Sequence, residues 1–195
     1  WKSNDPWVVE ACVLALGAVA EGCCNGTTNA SWIENMIEHV LQVASSSSSS
    51  MYPLTCTALW TLSQYAESVE PLERLVERQV QIMNETNIPR LQIAAISSFC
   101  IIVEKRDVTP YLQHVYPVLC QCLHRYTGRS LWSVLETFGV LAETCGLAIA
   151  DYNHIPELLM VWDRLASDDP LDRTIPVLLD SLACICVVAS SSIAN

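Results

Sequence analysis

Positive charge is scarce in this chain of 195 residues: 10 Lys and Arg stand against 21 Asp and Glu, a net charge of −11. A nucleic-acid surface needs clustered Lys and Arg to displace counterions, so that class is excluded and a basic partner is favoured. Long uninterrupted apolar runs are also missing. A spanning helix needs about 20 predominantly apolar residues, and the best window, Val177 to Ile193, contains Asp180 and several serines. Catalytic and phosphate-binding patterns are absent too: there is no glycine-rich phosphate loop, no G-x-S-x-G and no H-E-x-x-H. Glutamates are plentiful but fall at equivalent places along the chain, as on a repeated surface rather than as a catalytic pair, so the chain reads as a non-enzyme. No C-x-x-C pair occurs, and the four histidines show no ligand spacing to the cysteines, so neither a metal nor another cofactor is expected. A secretory n-region and h-region are lacking, and the first residue is Trp1 rather than Met. Together with an apolar segment running almost to Asn195, this reads as an interior piece of a longer protein.

What is present is apolar sequence at low charge: 51% hydrophobic against 16% charged, with ten cysteines. The cysteines sit inside apolar helical stretches such as Leu119-Cys-Gln-Cys-Leu123, where a free thiol packs as a small hydrophobe. They read as reduced residues of a reducing compartment, which makes the sequons at Asn25, Asn29 and Asn84 chance matches.

Apolar residues recur at helical spacing nearly throughout, and no convincing alternating strand appears. Breakers divide the chain into roughly nine helices. The expected spans are 7–24, 31–44, 53–68, 71–84, 89–105, 110–125, 128–150, 156–166 and 170–191. Several open on proline at the first turn, where the missing N–H is not needed. Ser31 and Glu34 form a capping box. Ser45 to Ser50 reads as a flexible turn within a repeat, with a phosphorylated tether as the alternative.

The segments repeat. Val13-Leu-Ala-Leu-Gly-Ala-Val-Ala-Glu21 resembles Ala58 to Glu67, Ile96 to Glu104 and Leu135 to Glu143, with a fifth copy at Leu178 to Val187. The marker glutamates Glu21, Glu67, Glu104 and Glu143 lie 46, 37 and 39 residues apart. Two helices in a period of ~40 is the HEAT/armadillo pattern. The expected fold is therefore an all-α HEAT-repeat solenoid of about five hairpin repeats, a segment of a right-handed superhelix. The repeats run 1–25 (second helix only), 30–69, 70–106, 107–150 and 154–192.

Seven residues is close to two helical turns, so the position seven before each marker shares its face. That row reads Leu14, Trp60, Ser97, Glu136, Asp180, beside the marker row Glu21, Glu67, Glu104, Glu143, Val187. One end is apolar and the rest acidic. Five helices at 8–10 Å spacing span roughly 40 Å, the reach of about 12 residues of extended peptide. The expected ligand is an extended segment, apolar or aromatic at one end and basic at the other. Each residue also has a plainer reading: Leu14 and Trp60 as core, Glu104, Glu136, Glu143 and Asp180 as solvated acids. Trp1, Trp7, Trp32, Trp132 and Trp162 read as packing or surface residues.

Val13-Leu-Ala-Leu-Gly-Ala-Val-Ala-Glu-Gly-Cys23 and Trp60-Thr-Leu-Ser-Gln-Tyr-Ala66 resemble the transportin branch of the importin-beta (karyopherin-beta) nuclear transport receptors. The resemblance continues through Gln92 to Phe99, Pro110 to Leu112 and Leu135 to Glu143, and weakens by Val177 to Leu182. It implies a receptor that shuttles between cytoplasm and nucleus. Its cargo would carry a nuclear localisation signal that is basic and then proline-tyrosine, and the full-length receptor would also engage Ran GTPase and nucleoporins. By position, Leu14 and Trp60 match the family's apolar pair, and Glu104, Glu136, Glu143 and Asp180 its acids. Gln64 stands where the family has an arginine. A HEAT-repeat scaffold, such as a phosphatase subunit or tethering protein, is the alternative. It would have no reason to put Leu14 and Trp60 on the acids' row.

Overall fold

The computed structural model describes residues 5–23, Trp32, Asn35, Glu38, His39, Gln42, 52–150, Tyr152 and 154–193. The five isolated positions are helical, in keeping with the expected helix 31–44. The remainder of that helix, its capping box, the serine run and the sequons at Asn25 and Asn29 lie outside the described residues. Among the described residues every regular element is helical.

The chain divides into two compact units, Trp1–Arg106 and Asp107–Asn195. The first holds α1 (Pro6–Ala18), α2 (Ala20–Cys23), α3 (Tyr52–Gln64), α4 (Leu72–Glu85) and α5 (Pro89–Lys105). In it α1 packs on α3, α3 on α5, and α4 on α5. The second holds a 3-10 turn (Thr109–Tyr111), α6 (Leu112–Arg125), α7 (Gly128–Cys145), α8 (Leu147–Ala150), α9 (His154–Asp168) and α10 (Thr174–Ile193). There α6 packs on α7 and α9, and α10 packs on α7 and α9. Within each unit, then, the second helices of successive hairpins lie against one another, and the hairpins α4–α5, α6–α7 and α9–α10 each close on their own first helix.

This arrangement sets how much of each helix is apolar. The first helix α4 buries one stripe, Leu72, Leu75, Val76, Gln79 and Met83, at the 3- and 4-residue spacing of an amphipathic helix. The second helix α7 is covered on more sides and buries ten residues, from Ser130 to Ala142. What it leaves exposed is a narrow stripe containing Glu136 and Glu143. Fully buried side chains such as Phe99, Ile102, Phe138 and Leu123 form the two cores.

Several expected boundaries shift, each for a local reason. The span 7–24 divides at Val19, whose N–H is shared between the carbonyls of Ala15 and Leu16 (3.2 and 3.3 Å). The span 53–68 leaves α-helical geometry after Gln64. The next turn is tightened by bonds from Tyr65 to Leu62 and Ala66 to Ser63 (3.1 and 3.2 Å). The span 128–150 breaks at Gly146, which takes φ 53°, a conformation glycine adopts without the cost of a Cβ. The span 156–166 extends to His154–Asp168, so Pro156 lies at its third position. The last helix starts at Thr174 rather than Pro170. Its first turn is held by Asp172, whose carboxylate accepts from the Thr174 N–H at 2.7 Å. Proline marked that start four residues early, because the turn chemistry of Asp172 outcompetes it.

Candidate functional site

The apolar end of the expected row is built from α1 and α3. Val13 and Gly17, one turn apart, are the only buried residues of α1. Thr61 of α3 donates its hydroxyl to the Val13 carbonyl at 2.9 Å, and Tyr65 donates its to Leu16 at 2.8 Å. These two bonds clamp the helices together, and Trp60, next to Thr61, is carried onto Gly17. A Cβ built on Gly17 would stand 2.4 Å from the indole Cζ3. Trp60 is half-buried, neither core nor free surface, and Leu14 is 50% exposed. The plainer reading of both as core residues therefore fails for Leu14 and holds in part for Trp60.

Gln64 follows Trp60 by one turn and is half-buried. Its carbonyl accepts from the Lys105 ammonium of α5 at 3.0 Å. Glu104, the neighbour of Lys105, is exposed. Arg106 then closes the end of the α3 segment: its guanidinium donates to the carbonyls of Ala66 (2.9 Å) and Glu67 (3.3 Å) and pairs with Glu70 at 2.6 Å. Cations at a helix C-terminus satisfy orphan carbonyls and oppose the negative end of the dipole. Arg164 does the same in the second unit, donating to Leu123 and His124 (3.0 and 3.1 Å) at the end of α6.

In the second unit α7 and α10 approach closely over Gly139, where a Cβ would lie 3.9 Å from Cys184 Sγ and from the Ser181 backbone. Ser181 donates its hydroxyl to the Leu135 carbonyl at 2.7 Å. Leu135 occupies the same place in its repeat as Val13, and Ser181 the same place as Thr61, so one hydroxyl-to-carbonyl clip recurs in both units. Glu136, Glu143 and Asp180 are all exposed. Glu143 accepts a long bond from the Cys184 thiol, 3.6 Å. Burial, and then the carboxylates of Glu143 and Asp180, push that thiol above its usual range. Two acids from different helices therefore act on one point of the surface. No ion pair reaches Glu104, Glu136, Glu143 or Asp180 among the described residues, unlike Glu38, which pairs with Arg78, and Glu70, which pairs with Arg106.

Burial also holds Cys56, Cys120 and Cys122 above the ordinary thiol range, which disfavours the reactive thiolate. Among the described residues no cluster of His, Cys, Asp and Glu could hold a metal, and no helix is long and apolar enough to cross a membrane. The other tryptophans with described side chains divide as expected between surface and packing. Trp7 is 71% exposed, while Trp132 donates its indole N–H to Thr174 at 2.7 Å.

Sequence reasoning missed Gly17, Lys105 and Arg106. Gly17 stood in the repeat motif, but nothing in one sequence distinguishes a helical glycine that admits an indole from one that merely tolerates helix. Lys105 and Arg106 were legible only as basic residues in a last turn, a signal of capping rather than of which carbonyls they reach.

No family model matches the chain. Curated proteins do. Transportin-1 of Mus musculus and that of Homo sapiens are each 30% identical over 179 residues, 85% of this chain and 19% of their own length. Importin subunit beta-2 of Schizosaccharomyces pombe is 28% identical over 183 residues, 86% of this chain and 20% of its own. The chain thus spans about a fifth of the length of the curated relatives it matches. Taken with an all-α architecture of stacked helical hairpins, these matches bear out the resemblance of this chain, over most of its length, to the transportin (importin subunit beta-2) branch of the importin-beta family.

Proposed function

We propose that this chain is a cargo-binding part of a nuclear import receptor that shuttles between cytoplasm and nucleus. It acts by binding rather than by catalysis. Its cargo carries an extended signal, basic first and proline-tyrosine at the end. Leu14 and Trp60 take the proline-tyrosine end, with Gln64 beside them. Glu104, Glu136, Glu143 and Asp180 take the basic part. Ran GTPase and nucleoporins are partners of the full-length receptor in this reading. The names of the relatives support the receptor role. The observation that carries the site is Trp60: a half-buried tryptophan seated on Gly17 of α1, the helix that also bears half-exposed Leu14, and at the repeat position where Glu136 and Asp180 stand exposed.

The energetics divide unequally. A rigid, partly seated aromatic is the residue type that dominates recognition, so Trp60→Ala should cost about 2 kcal/mol or more, roughly 30-fold in Kd. Exposed carboxylates pair weakly, about 0–1 kcal/mol each, and are screened by salt. The test is fluorescence anisotropy with a labelled basic-to-Pro-Tyr peptide. Wild type should bind, Trp60→Ala should lose most of the affinity, and the combined reversal of Glu136 and Asp180 to Lys should weaken binding at low salt but little at high salt. Equal binding by wild type and Trp60→Ala would overturn the site. No binding by wild type would leave the HEAT-repeat scaffold reading.

A further inference from the structure

The seat of Trp60 is a missing side chain. Gly17 lies in the last turn of α1 and is buried. A Cβ there would meet Trp60 Cζ3 at 2.4 Å, Trp60 Cε3 at 2.9 Å and Thr61 Oγ1 at 2.9 Å. All three distances are below van der Waals contact. The two ring atoms form the outer edge of a rigid indole. The third atom is held by its bond to the Val13 carbonyl at 2.9 Å. Neither neighbour is the free end of a flexible chain. Gly17 has an ordinary helical φ, since the positive-φ glycines among the described residues are Gly128 and Gly146. Backbone conformation therefore gives no reason for glycine at 17. Helix propensity argues against it, because alanine is the better helix former. Space for the indole is the reason that remains.

We propose that Gly17 is a positioning residue for peptide recognition: by lacking a Cβ it sets the depth and tilt of the Trp60 ring, and with them affinity for the proline-tyrosine end of the ligand. This rests on the reading of Trp60 given above. Any side chain at 17 lifts the indole and loosens the Thr61 clip beneath it. Recognition then depends on a residue that touches no ligand.

The test uses the whole chain, with its six tryptophans replaced by 5-fluorotryptophan. The Trp60 fluorine resonance is identified by its loss in Trp60→Phe. Gly17→Ala should shift that resonance, leave the resonance of exposed Trp7 in place, and weaken peptide binding at least about tenfold. Gly22→Ala is the control, since a Cβ on Gly22 meets nothing within 4 Å; it should change neither signal nor binding. In the Trp60→Phe background, which lacks the Cε3–Cζ3 edge, Gly17→Ala should cost little further affinity. This pair remains informative if Gly17→Ala alone folds poorly. An unmoved Trp60 resonance, or equal losses from Gly17→Ala with and without the indole, would overturn the proposal. Full affinity in Trp60→Ala would instead overturn the reading of Trp60 and leave the fluorine shift as the measure of Gly17.

Discussion

Replacing a buried glutamine should stabilise this protein at one position and destabilise it at another. Gln79 of α4 is 0% exposed, and neither its amide nitrogen nor its amide oxygen has a hydrogen-bond partner among the described residues. An amide buried without partners costs about 1–3 kcal/mol by mutational measures. Methionine has nearly the same length, fills irregular gaps and matches glutamine in helix propensity, so Gln79→Met removes the penalty without opening a cavity or weakening the helix. The expected gain is about 2 kcal/mol. For chains of 150–250 residues each kcal/mol moves Tm by about 2–4 °C, so the midpoint should rise about 4–8 °C. Gln92 is the internal control. It is 7% exposed and donates its amide to the Thr86 carbonyl at 3.2 Å. Gln92→Met should therefore lower stability by about 1 kcal/mol. Thermal and urea unfolding followed by far-UV circular dichroism measure both. A neutral or destabilised Gln79→Met, beside a destabilised Gln92→Met, would show that Gln79 finds partners in solution and refute the reasoning.

Two further expectations follow from buried polar groups. Thr61→Val and Ser181→Ala each remove one hydroxyl-to-carbonyl clip and should each cost about 1 kcal/mol in urea unfolding. Having no shared partner, they should add in the double variant; an effect near zero at both would show that the recurrent clip contributes nothing. His154 is 2% exposed, bonds the Ile149 carbonyl through Nε2 and leaves Nδ1 without a partner among the described residues. Burial holds this imidazole below its usual range, with the Ile149 bond opposing in smaller measure. The folded chain thus binds the proton less readily than the unfolded one. Its contribution to stability is complete above about pH 6.5, the unfolded value, and is lost as pH falls through the lower folded value. Urea midpoints measured across that range should fall with pH in wild type and fall less in His154→Phe.

The exposed row of the candidate site was legible because second helices of stacked hairpins are covered on most sides. Burial from several directions leaves one narrow stripe, and positions seven residues apart return to it. That is why Glu104, Glu136, Glu143 and Asp180, chosen from spacing alone, are all exposed. Boundaries were less legible where a single residue decided them. Gly146 ends α7 through a positive φ, yet Gly17 lies inside α1 with an ordinary one. The same residue type acts once through backbone freedom and once through the space it leaves, and only its neighbours tell the two apart.

By itself the amino-acid sequence determined the all-α class, the repeat of about 40 residues and the face on which the acids lie, since these follow from helical periodicity along one chain. It also carried the resemblance to the transportin branch that the curated relatives bear out. Tertiary structure alone decided which groups meet across helices: Thr61 with Val13, Ser181 with Leu135, Lys105 with Gln64, and the indole of Trp60 with the empty side of Gly17. These contacts join residues about 40 or more positions apart, brought together by packing distances that periodicity does not encode.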